Sequence, residues 1–72
     1  MTMAAVNLQL VAMSCTAGTC PAIYRTERDT VVVQGYVVAA GDIGLSVTGQ
    51  EALVEIPISL LAAAARSLAQ AA

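Results

Sequence analysis

Cys15 and Cys20 are the side chains best equipped for chemistry in this chain, with four residues between them as C-x4-C. A thiolate is both a nucleophile and a soft metal ligand. Such a pair can close a disulfide across a turn or supply half of a four-thiolate site shared by two chains. A metal site within one chain wants a second Cys or His set, and the sequence holds two Cys and no His. The plainest reading is two small buried thiols flanking the turn at Gly18. No metal or cofactor is expected.

Other ionisable residues offer less. Arg25, Glu27, Arg28 and Asp29 cluster within five positions, either as a recognition tip or as the solvated end of a hairpin. The hairpin end is the simpler of the two. Glu51 and Glu55 share a strand face by their spacing, but nothing poises them as an acid–base pair. Tyr24 and Tyr36 read as a cross-strand packing pair. No G-x-S-x-G is present, and no Gly-rich loop precedes a helix. An enzyme is not expected.

The elements that position these residues follow from composition and periodicity. The 72 residues make one domain, 58% hydrophobic and 11% charged, with two Tyr and no other aromatic. Soluble domains usually carry about 25% charged residues. Such a chain must leave apolar surface uncovered, which marks a partner surface, and self-association is the first expectation. The net charge is −2 with three Arg and no Lys, which argues against direct nucleic-acid binding. Seven polar or Gly residues interrupt the uncharged first 24, so no membrane span is expected. The run ending at Cys15 faintly resembles a lipoprotein cleavage site, yet no basic residue precedes it. A cytoplasmic location is expected.

Alternation places Val6, Leu8, Leu10 and Ala12 on one face of a strand over about residues 4–12, although the residue types also suit a helix. Residues 22–26 and 30–39 read as a hairpin around a polar tip. In the second strand Val31, Val33 and Val37 take one face and Val32, Tyr36 and Val38 the other. Both faces need cover, and Val32, Tyr36 and Val38 become the candidate dimer face. Leu45 to Val47 suits a short strand or bridge, and a further strand spans about residues 52–56. Pro57 then opens a helix over about residues 57–71. Leu61, Ala64, Ala65, Leu68 and Ala72 form its apolar stripe, opposite Ser59, Arg66 and Gln70. The expected fold is α+β and β-rich: one small antiparallel sheet of four to five strands, the C-terminal helix on one face, and a dimer.

The segment from Cys15 through Cys20-Pro21, Tyr24 and the Glu27-Arg28 turn to Val33-Gln34-Gly35 resembles a group of short actinobacterial proteins. Glu55-Ile56-Pro57, opening a Leu/Ala helix, fits the same pattern. In broad layout the group is similar to the BldB-like and WhiJ-associated accessory proteins, whose Trp-containing segments have no counterpart here. The resemblance implies Cys15, Cys20, Pro21, Tyr24, Arg28, Gln34 and Gly35 as signature positions, without a catalytic role. It also implies action by protein contact, as an accessory partner of a helix-turn-helix transcription regulator. The expected function is therefore a small dimeric interaction module. A cysteine-based redox or metal sensor and an antitoxin-like neutralising partner are the alternatives.

Overall fold

The computed structural model describes residues 7–15 and 18–70. Strands β1 (Leu8–Met13), β2 (Ala22–Thr26) and β3 (Val31–Gln34) form a three-stranded antiparallel sheet in that order. Strands β4 (Tyr36–Val38) and β5 (Leu53–Glu55) form a separate antiparallel pair, and helix α1 (Ile58–Gln70) ends the described chain. The α+β, β-rich class holds. The five strands, however, divide into two sheets where the sequence predicted one.

The division falls at Gly35. The expected strand over residues 30–39 breaks there: β3 pairs with β2, whereas β4 pairs with β5. A Cβ on Gly35 would lie 2.7 Å from the Glu55 carbonyl oxygen and 2.7 Å from Ile56 Cγ2. Only a residue without a side chain lets the chain cross this close to the end of β5.

The β2–β3 hairpin forms as its sequence pattern predicts. Its tip is Glu27, Arg28 and Asp29, closed by the Thr26 amide donating to the Thr30 carbonyl at 2.9 Å. Asp29 takes a left-handed φ of 62°, which suits the last residue of a three-residue hairpin loop. Thr26 is 5% exposed, and its hydroxyl meets that of Thr30 at 2.6 Å while accepting the Arg28 amide at 3.0 Å.

β1 is a strand, but it is not regular. Leu10 pairs with Tyr24 and Ala12 with Ile23, so Val11 is an extra residue in the ladder. The bulge reverses the alternation beyond it. Ala12 consequently packs against the core rather than sharing the face of Leu8 and Leu10, as strict alternation had implied. Val6, the first member of that expected stripe, lies outside the described residues.

The core is small: Ile23, Leu60 and Ala64 are buried together, and Val11, Ala12, Val33 and Ile56 pack against them. The Pro57 carbonyl accepts the amides of Leu60 at 3.1 Å and Leu61 at 3.3 Å, so Pro57 caps α1 from just outside it. The buried stripe is Leu60 and Ala64, with Ala63 and Leu68 half-buried beside them. Leu61, expected inward, is 57% exposed. One residue is about 100° of helix rotation, and the chain's entry through Ile56 decides which of two adjacent leucines faces the sheet. Ala65 is likewise exposed, and Ala72 lies outside the described residues. The segment from Leu45 to Val47 forms neither strand nor bridge, and a short 3₁₀ turn (Ala40–Ile43) precedes it.

Candidate functional site

Two features emerge from this frame, a disulfide-closed turn and an uncovered sheet face. Cys15 and Cys20 are joined as a disulfide, so they are neither free thiols nor available as thiolate ligands. Cys15 is exposed and Cys20 half-buried, against the expectation of two buried thiols. The β1–β2 ladder brings the two cysteines together, and the Ser14 amide donates to the Pro21 carbonyl at 3.0 Å to close the turn. Gly18, at φ 85°, supplies the left-handed residue it needs.

The turn is tied to the place where the chain changes sheets. The hydroxyls of Thr19 and Tyr36 lie 2.7 Å apart. Gln34 Nε2 donates to the Cys20 carbonyl at 3.4 Å. Cys20, Pro21, Gln34, Gly35 and Tyr36 thereby line one open groove of about 430 Å³. Four of the signature positions, distant in sequence, meet here. Its two hydroxyls engage each other and its amide the Cys20 carbonyl, so the groove is a structural tie and not a set of poised reactive groups.

The other candidates lie apart from it. Tyr24 sits mid-sheet between Leu10 and Val32, so it does not pair with Tyr36, whose cross-strand partner is Glu55. The sheet change at Gly35 separates the two tyrosines. Arg25 lies across from Gln9 and Val31, half-buried near Leu68. Arg28 is exposed at the tip, where Glu27 accepts from Asn7 Nδ2 at 2.8 Å. Glu51 caps a turn, its carboxylate accepting the Thr48 amide at 3.2 Å, while Glu55 lies in β5. Among the described residues no three His, Cys, Asp or Glu side chains converge as a metal site. Every buried side-chain polar atom among them has a hydrogen-bond partner.

The larger sheet has one face under α1; on the other, Ala22 and Thr26 are buried while Leu8, Leu10, Met13 and Val32 are exposed. Ile23 and Val33 point to the helix side. Alternation therefore places Tyr24, with its cross-strand neighbours Leu10 and Val32, on the opposite face. Leu8 and Met13 share that face through their pairing with Thr26 and Ala22. Leu8 and Leu10 are each 50% exposed, Met13 53% and Val32 41%. The expected dimer face of Val32, Tyr36 and Val38 is thus not one surface: Val32 stands on the larger sheet, Tyr36 and Val38 on the smaller. Val38 is half-buried and Tyr36 is held by Thr19. The residues missed from sequence, Leu8, Leu10 and Met13, join Val32 only through strand pairing.

No helix among the described residues is long and apolar enough to cross a membrane. No protein-family model matches the chain, and neither a curated protein nor a solved structure is detectably similar to it.

Proposed function

We propose that this chain is a small non-enzymatic protein-interaction module that self-associates and acts in the cytoplasm as an accessory partner of a helix-turn-helix transcription regulator. One observation carries the interaction reading. Among the described residues four apolar ones are buried, Ala22, Ile23, Leu60 and Ala64, while thirteen large hydrophobic ones stand exposed. A domain with so little interior gains most of its remaining apolar burial by meeting another protein surface. The regulator partnership rests on the sequence resemblance, and an antitoxin-like neutralising role would use the same surfaces. Sedimentation equilibrium across micromolar concentrations tests self-association: a concentration-dependent mass is expected, and a monomer throughout overturns it.

The Cys15–Cys20 disulfide supports a second reading, a thiol-based redox sensor. Reducing compartments keep most such pairs as thiols, so in the cytoplasm this bond would respond to the dithiol pool. Thiol titration against graded reducing potential tests it. A bond that resists reduction down to the thioredoxin range, about −270 mV, removes the sensor reading and leaves a structural staple.

A further inference from the structure

We infer that the partner seated on the face of the larger sheet opposite α1 is a second copy of this chain, packed sheet against sheet about a twofold axis. The inference rests on the self-associating reading above and assigns it a surface.

Surface area gives the first argument. The chain exposes 5405 Å², whereas a compact monomer of 7.3 kDa should expose about 4,200 Å². Its radius of gyration is 14.0 Å, against about 11 Å for a compact domain of this length. The excess, roughly 1,200 Å², is spread over the chain, the wholly exposed segment over residues 41–52 included, and leaves room for the ~800 Å² that each partner contributes to a standard interface.

Charge gives the second. Leu8, Leu10, Met13, Tyr24 and Val32 carry no charge, so a twofold copy of the face meets no like charge across the interface. The nearest side-chain charges lie at its rim, where Leu8 lines one cleft with Arg25, Glu27 and Asp29. Arg25 shares the helix side of β2, and Glu27, Arg28 and Asp29 stand at the hairpin tip. Two such faces would stack about 10 Å apart and interdigitate their leucines and valines, making a two-layer sandwich with α1 outside on each side.

A rival surface exists on the outer side of α1. Ile58, Leu61, Ala62, Ala65 and Ala69 are all exposed and span about 100° of the helix circumference. Three of these five are alanines, which bring little area to a contact. Ser59, Arg66 and Gln70 lie beside them. The sheet face presents two leucines, a methionine, a valine and a tyrosine over three adjacent strands, with the exposed Gln34 at its Ala22 end and the buried Thr26 at the other. Apolar area decides for the sheet.

The test uses the full chain. Isotope-filtered methyl NOEs on a mixed labelled and unlabelled sample, at a concentration where sedimentation shows a dimer, read the interface without any substitution. Intermolecular NOEs from Leu8, Leu10, Met13 and Val32 are expected. Leu10→Glu and Val32→Glu, each checked for folding by circular dichroism, should weaken the dimer by about 30-fold or more, as loss of a central interface residue does. Leu61→Glu should leave it intact. A dimer with NOEs from Ile58 and Leu61, dissociated by Leu61→Glu alone, overturns this assignment but leaves self-association standing. A wild-type monomer at all concentrations overturns both.

Discussion

Adding a single methyl group at Gly35 tests whether the change of sheets is built into the sequence. In Gly35→Ala the new Cβ would sit 2.7 Å from the Glu55 carbonyl oxygen, 2.7 Å from Ile56 Cγ2 and 3.3 Å from Val54 Cβ. The isoleucine methyl can rotate away, but the carbonyl belongs to the β5 backbone and moves only with the strand. Relief therefore separates β4 from β5, at a cost of about 1–3 kcal/mol typical of overpacking. That is a large share of the ~3–5 kcal/mol that a core of this size rarely exceeds. At about 4–8 °C per kcal/mol the midpoint should fall by roughly 5–20 °C. Gly41→Ala is the control, because nothing lies within 4 Å of its Cβ position and its φ is not positive. It should be neutral or raise stability by about 0.4–1 kcal/mol through the unfolded state. Calorimetry gives the midpoints, and amide exchange locates the damage: β4 and β5 should lose protection while β1 to β3 keep theirs. A Gly35→Ala midpoint equal to that of Gly41→Ala would refute the close-approach argument.

Other substitutions probe the remaining elements. Removing the disulfide as the Cys15→Ser/Cys20→Ser double variant should cost about 2 kcal/mol, from the closure entropy of a loop this short, read by urea denaturation; no change would mean the turn is held by Thr19, Tyr36 and Gln34 without it. Leu60→Ala should cost about 2–5 kcal/mol, while Leu61→Ala should change monomer stability by no more than about 0.5 kcal/mol. The reverse order in thermal melts would show that the helix sits one residue out of phase. Thr26→Val removes a buried hydroxyl with two partners and should cost about 1–3 kcal/mol, again by denaturation. Asp29→Gly relieves a left-handed φ of 62° and should stabilise by up to about 1 kcal/mol in the same assay.

Much of the fold was legible in short-range patterns. The hairpin from Ala22 to Gln34 follows from two β-prone runs around a polar tip, and its register needs nothing beyond that tip. The helix behind Pro57 follows from leucine and alanine propensity, and its start is correct to one residue. What failed were questions of phase. One bulge at Val11 moves Ala12 to the other face of the sheet, and a rotation by one residue exchanges Leu61 for Leu60. Neither neighbourhood carries a local mark of the shift, because apolar residues occupy both possible phases. The candidate site fared in a similar way. Cys20, Pro21, Gln34 and Gly35 were singled out, but their meeting in one groove depends on the β2–β3 pairing and the disulfide turn.

The sequence by itself determined that this chain would be β-rich, closed by one helix, and short of interior for its apolar content. Those properties are sums over residues and need no knowledge of what touches what. Only the tertiary structure decided where the shortage would appear. The apolar run from Val31 to Val38 was expected as one strand with two faces to cover. Gly35 instead passes so close to β5 that the chain leaves one sheet for another, and the surface is divided between them. Val32 remains with Leu8, Leu10, Met13 and Tyr24 on a face that α1 cannot reach. Which residues share a face depends on strand pairing over long sequence distances, and composition and local periodicity carry no record of that pairing.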